Sequence, residues 1–243
     1  MNKINIDICK IIASYIIPHK YELLEWIKDN NLLIDTELST NVNSIDYLDT
    51  NKIIWPMLSL NKNAIQLLKA NPDKINWCAL SFNKHAIELL KNNPEKISWY
   101  NLSLNKNAIE LLKVNKNKIN WSVLSLNENA IELLKDNPEK IDWDNLSLNK
   151  NAIQLLKDNP NKINWDFLSL NKNAIELLKD NPEKINWKYL SSNPNAIEIL
   201  KDNQDKIDKN NFSRNKNIFK LNKNTQEIVK MGNFIHNIIL NKE

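Results

Sequence analysis

The chain has 243 residues, 42% hydrophobic and 26% charged, with a formal net charge of +4; this suits a charge-clothed protein with a packed core and does not by itself announce nucleic acid. A single glycine, Gly232, excludes the glycine-rich loops that cradle phosphates and disfavours β-rich folds built on positive-φ turns. Cys9 and Cys78 lie far apart with no CxxC or histidine spacing around them, so neither a disulfide framework nor a metal site is expected, and their usage fits a reducing, intracellular compartment.

In chain order, residues 4–27 read as two amphipathic helices meeting at Pro18. The apolar run Ile11–Ile17 is too short to span a membrane and too weak for a secretion signal. Leu33, Leu38, Ser39, Asn41, Asn43, Ile45 and Leu48 then trace an incomplete copy of a unit that repeats without interruption from Ile53. Trp55, Trp77, Trp99, Trp121, Trp143, Trp165 and Trp187 are each 22 residues apart, and Ala64, Ala86, Ala108, Ala130, Ala152, Ala174 and Ala196 keep the same step. The unit is Ile-x-Trp-x-x-Leu-Ser-x-Asn-x-Asn-Ala-Ile-x-Leu-Leu-Lys-x-Asn-Pro-x-Lys, seven copies of it filling Ile53 to Lys206. An eighth, Ile207 to Ile228, keeps Ile207, Phe212, Ser213 and Asn215 but has Lys209 for Trp and Ile218 for Ala. Such a period is the signature of a solenoid, whose terminal units differ because they close the stack. The expected organisation is a helical cap over residues 1–32, an atypical first repeat over 33–52, seven repeats over 53–206, and a degenerate repeat with a capping helix over 207–243.

Each unit parses into two helices. Asn61 and its equivalents at 83, 105, 127, 149, 171 and 193 read as N-caps of the first, and Pro194 sits where an N1 proline is favoured. Ala64, Ile65, Leu67 and Leu68 give this alanine helix an apolar stripe, with Gln66 and Lys69 turned outward. It is expected to end at Asn71, which tolerates a left-handed conformation, before Pro72. Asn76, Ser98, Asn120, Asp142, Asn164 and Asn186 precede the tryptophans and read as N-caps of a second, tryptophan helix of one to two turns, α or partly 3₁₀. The apolar runs lack the period-two strand of leucine-rich repeats. The predicted fold is thus an all-α solenoid; at roughly 8 to 10 Å per unit, eight or nine units extend about 70 to 90 Å.

The motif Leu-Ser-x-Asn-x-Asn-Ala-Ile-x-Leu-Leu-Lys-x-Asn-Pro, as in Leu146 to Pro160, resembles a largely uncharacterised repeat family of the giant DNA viruses of amoebae, over about residues 33–228. The resemblance implies an AT-rich viral genome, consistent with the abundance of Asn, Lys and Ile, and expression in a host cytoplasm; it brings no catalytic residues. More loosely, the unit is similar to leucine-rich variant solenoids, which alternate α and 3₁₀ helices. Residues Asn5 to Ile16 are similar to the opening helix of F-box-like segments, which recruit ubiquitin-ligase cores, but lack the Leu-Pro entry; a plain hydrophobic cap is the other reading.

No constellation carries chemistry. His19, His85 and His236 have no acidic, Ser or Cys partner at a recognisable spacing, so no catalytic residue, cofactor, metal or small-molecule substrate is expected. The tryptophans could stack on single-stranded nucleic acid, but their spacing from Ile and Leu is that of a core. Two lysine rows, through Lys69 and through Lys74, could track a polyanion, yet acids intervene and a solvated face fits better, so nucleic acid is not the expected partner. The asparagine columns fit either helix caps or amides bonded from unit to unit.

In a solenoid the constant positions hold the stack, so a partner should read the positions that vary. The two residues after each tryptophan vary most, and the candidate partner-binding residues are Met57, Tyr100, Asn101, Val123, Asp144, Asp166, Phe167, Lys188 and Tyr189. Tyr100, Phe167 and Tyr189 are the candidate anchors, with burial against the neighbouring unit as the alternative. The function expected is a non-enzymatic scaffold binding a host or viral protein; the alternatives are a ubiquitin-ligase adaptor, polyanion binding, and self-association through the solenoid ends.

Overall fold

The computed structural model describes residues 53–219 together with Ser39 and Asn41. The chain divides into two compact units, residues 1–33 with 219–243 and residues 34–218, and the description concerns the second. The expected helical cap at residues 1–32, with its F-box-like segment, and the C-terminal helix at 228–240 lie outside the described residues.

Over residues 53–218 the chain is an α-solenoid, with no strand among the described residues. Each 22-residue repeat contributes a tryptophan helix, an alanine helix and a single 3₁₀ turn, in repeat 2 Trp77–Phe82, Ile87–Lys91 and Pro94–Lys96. Helices of four to six residues are far below the length at which a helix persists alone in water, so packing and end-satisfaction must hold them. The core is one continuous column. Leu58, Leu80, Leu102, Leu124, Leu146, Leu168 and Leu190 from the tryptophan helices are wholly buried against Leu68, Leu90, Leu112, Leu134, Leu156 and Leu178 from the alanine helices. The alanines are equally inaccessible, because a larger side chain there would force neighbouring backbones apart. Successive tryptophan helices pack directly on one another along the stack.

The backbone polar groups between these short helices are satisfied by three side-chain ladders. In the first, Asn83 Nδ2 donates to the carbonyls of Ser59 and Asn61 in the preceding repeat, at 3.0 and 3.2 Å, while its Oδ1 accepts from the amide of His85. The same pattern recurs at Asn105, Asn127, Asn149, Asn171, Asn193 and Asn215. In the second, Ser59 Oγ donates to the Trp55 carbonyl and accepts from the Asn76 amide of the next repeat, a double role repeated from Ser81 to Ser191. In the third, Asn107 Nδ2 donates to the Lys84 carbonyl, and Asn129, Asn151, Asn173, Asn195 and Asn217 repeat it one unit on. Among the described residues no buried side-chain nitrogen or oxygen lacks a partner. The ladders reach upstream of Ile53: the Ile54 amide donates to Ser39 Oγ and Asn61 Nδ2 to the Asn41 carbonyl, at separations two residues shorter than in later repeats.

Several local expectations are corrected. Asn61 does not cap the alanine helix; it opens an Asx turn through the Asn63 amide, and the helix starts at Ile65 after Ala64, which offers no side-chain cap. Pro194 accordingly lies in that turn, ahead of the helix Ile197–Asp202. Asn71 is not left-handed, at φ −133° and ψ 62°; its Nδ2 donates back to the Leu67 carbonyl and satisfies the helix end by side chain. The 3₁₀ element is the Pro-x-Lys turn, which forms equally at Lys116–Lys118 and Gln204–Lys206 without proline. The caps before tryptophan hold at Asn76, Asn120, Asp142, Asn164 and Asn186; Ser98 makes no such bond.

Replacing Asn149 by alanine removes two donors from buried carbonyls and should destabilise the stack by about 2 to 4 kcal/mol in urea unfolding. Asn149→Asp should cost more at neutral pH, because a carboxylate would face the Ser125 and Asn127 carbonyls. Its pKa would be raised on folding, so stability relative to Asn149→Ala should be greatest below the unfolded value of about 3.9 and fall as pH rises through the folded one.

Candidate interaction surface

The first residue after each tryptophan is exposed in every repeat: Pro56, Cys78, Tyr100, Ser122, Asp144, Asp166 and Lys188. The second faces the neighbouring tryptophan helix and is mostly half-buried, as Asn101, Phe167 and Tyr189 are, while Val123 is buried at 7% exposure and Met57 is open at 44%. The difference follows from helical geometry, since adjacent positions point about 100° apart. Of the candidate anchors, Tyr100 stands out at 57% exposure, whereas Phe167 and Tyr189 give part of their surface to packing.

Polar residues in these two columns also bond across repeats. Asn101 Nδ2 donates to the Cys78 carbonyl and Asn145 Nδ2 to that of Ser122. Asp144 Oδ1 accepts from Asn164 Nδ2, and Asp166 Oδ1 from Asn186 Nδ2, both at 2.8 Å. Three and four residues beyond these two columns, at the position after the serine, Leu60 and Phe82 are each 47% exposed, whereas Leu104, Leu126, Leu148 and Leu170 are half-buried. Leu60 carries no signal in the periodic pattern that would separate it from Leu104 to Leu170, and Phe82 is marked only by its departure from leucine; neither was among the candidate residues.

On the other faces part of the charge is paired. On the alanine helices Lys91, Lys113, Lys135 and Lys179 pair with Glu88, Glu110, Glu132 and Glu176 at 2.8 Å. The hydrogen bond and charge of each glutamate hold the Lys113, Lys135 and Lys179 ammonium groups above their ordinary range. In the second lysine row, Lys118, Lys184 and Lys206 lie over the rings of Trp99, Trp165 and Trp187 of their own repeats, 4.5 to 4.9 Å from the centroids. The tryptophans are half-buried and pack against the core, and on those three rings a stacking base would have to displace the lysine. A shallow depression of about 300 Å³ beside Trp187 is rimmed by Lys179, Glu198 and Asp202. Among the described residues no cluster of His, Cys, Asp or Glu could hold a metal ion, and no helix is long and apolar enough to cross a membrane. His85, in place of the usual asparagine, is exposed and keeps the backbone turn through its amide.

Glu128 departs from the lysine found at this position in neighbouring repeats and binds two of them, Lys106 and Lys150, 22 residues away on either side. Burial pushes its carboxyl up, but the hydrogen bonds and charges of the two lysines together outweigh this and hold it below the usual range. A depressed folded pKa stabilises above the unfolded value and loses that contribution as pH falls through the folded one. Glu128→Gln should therefore cost up to about 1 kcal/mol near pH 7, and its urea midpoint should converge with that of the parent protein as pH drops below about 4.

No protein-family model, curated protein or solved structure matches the chain.

Proposed function

We propose that the chain is a non-enzymatic scaffold that binds a protein partner across the tryptophan-helix face of its repeats. The observation that carries this reading is the contrast between two sets of positions. The repeated polar residues are engaged in ladders within the stack, and the alanine-helix glutamates pair with lysines three residues on. The exposed residue after each tryptophan changes from Pro56 through Tyr100 and Asp144 to Lys188 and is free to encode specificity. A viral source and a host-cytoplasmic setting rest on the resemblance of the repeat unit alone.

Photo-reactive benzoyl-phenylalanine placed at position 100 or 188, where exposed substitutions should shift stability by no more than about 0.5 kcal/mol, tests the reading in cells that naturally contain the protein. Discrete cross-linked adducts are expected from those positions and none from positions 139 and 183 on the 3₁₀ turns. Adducts only from the turns, or from no position, would overturn it.

A further inference from the structure

The tryptophan-helix face is not uniform along the stack. In repeats 1 to 3 it presents Met57, Leu60, Phe82 and Tyr100, each 44% to 57% exposed, with Pro56 and Cys78 between them. Cys78 and Phe82 are four residues apart within one helix, Leu60, in the turn that follows the helix Trp55–Leu58, is the equivalent of Phe82, and Tyr100 is the equivalent of Cys78, so these positions fall along one side of the tryptophan helices. Repeat 4 contributes the neutral Ser122; repeats 5 and 6 place the exposed carboxylates of Asp144 and Asp166 in the same column. Each carboxylate is oriented by an amide on Oδ1, and neither is ion-paired among the described residues. This contrasts with the alanine helices, where most glutamates have a lysine three residues on. Lys188 in repeat 7 reverses the sign and bounds the acidic stretch.

We infer that repeats 1 to 6 form a docking track for an extended peptide segment of a partner protein, its apolar side chains on Met57, Leu60, Phe82 and Tyr100 and its basic side chains on Asp144 and Asp166. The inference deepens the scaffold reading and rests on it. Charge complementarity selects lysine or arginine for one half of the segment, and four exposed large apolar side chains in three successive repeats select apolar side chains for the other. Length sets the conformation. One repeat advances roughly 8 to 10 Å, and three residues of polyproline II advance about 9 Å, so a chain in that conformation meets successive repeats with every third side chain. Tyr100 and Asp144 are two repeats apart, which separates the apolar and basic halves by about six residues of peptide. The whole track, from Met57 to Asp166, takes about 15 to 18 residues.

The test is selection from a phage-displayed library of random 18-residue peptides on the full-length protein, followed by fluorescence polarisation of the selected peptides. Enriched sequences are expected to carry apolar residues in one half and Lys or Arg in the other, about six residues away. Tyr100→Ala with Phe82→Ser should weaken them at least about tenfold. Asp144→Asn with Asp166→Asn, which keeps the acceptor for each asparagine amide, should weaken them several-fold in low salt and little in high salt. No enrichment over a mock selection, sequences without a basic half, or affinities indifferent to either pair of substitutions would overturn the inference. So would sedimentation of the protein alone as a dimer that Tyr100→Ala dissociates, since a second copy would then occupy the face. If cross-linking from position 100 captures a partner while selection yields no such peptides, the scaffold reading stands and the track falls. Absence of adducts removes the scaffold reading whatever the selection gives.

Discussion

The structure depends on a buried amide. Every helix ends with carbonyls that have no partner of their own, and in helices of four to six residues those ends are most of the backbone. Stacking such pieces around a leucine column hides the carbonyls from water, which costs heavily unless each finds a donor. Asparagine solves this at positions such as Asn127, where Nδ2 reaches the Ser103 and Asn105 carbonyls of the preceding repeat and Oδ1 holds its own turn. Aspartate has the same shape but no donor, and glutamine, longer by a methylene, would carry the amide past both carbonyls.

From this bond follows the architecture. Since ladder contacts join each repeat only to its neighbours, stability is a sum of nearest-neighbour interfaces, and no repeat can bury its leucines alone. The serine ladder adds directionality: Ser103 closes its own helix through the Trp99 carbonyl and receives the amide that begins the next tryptophan helix, at Asn120. One hydroxyl therefore fixes the relative height of two helices. Upstream, the ladders tolerate a repeat two residues short, because the shortening falls between Asn41 and Ile54 while Ser39 and Asn41 keep their bonds.

Much of this was legible in the sequence. The period, the all-α class and the Leu and Ala core follow from spacing alone, because a face that must be buried in every unit needs the same residue in every unit. The caps at Asn76 and Asn164 were legible too, since their bonds are local. What misled was asparagine that obeys two rules at once. Asn61 and Pro194 look like the opening of a helix, yet the Asx turn and the bond to the adjacent repeat place helix onset later. Burial at the variable positions was legible only in part: Val123 and Asn101 are adjacent to the exposed column, and which of two neighbouring residues faces solvent depends on the packing of the next tryptophan helix.

That packing also limits where recognition can vary. A residue facing the neighbouring helix is restricted in size and polarity by its fit, as the buried Val123 and the bonded Asn145 illustrate. The column beginning at Pro56 is exposed in every repeat and less restricted, although Asp144 and Asp166 bond to the next repeat, and it accommodates proline, cysteine, tyrosine, serine, aspartate and lysine on one repeating helical frame. An identical frame with unlike side chains at a constant step has a direction: its apolar end, Met57 to Tyr100, is distinguishable from its acidic stretch at Asp144 and Asp166. A ligand that spans both has one register of best fit, because a shift by one repeat sets apolar side chains toward Ser122 and basic ones toward Lys188. The regularity that builds the stack thereby makes the few irregular side chains readable in order.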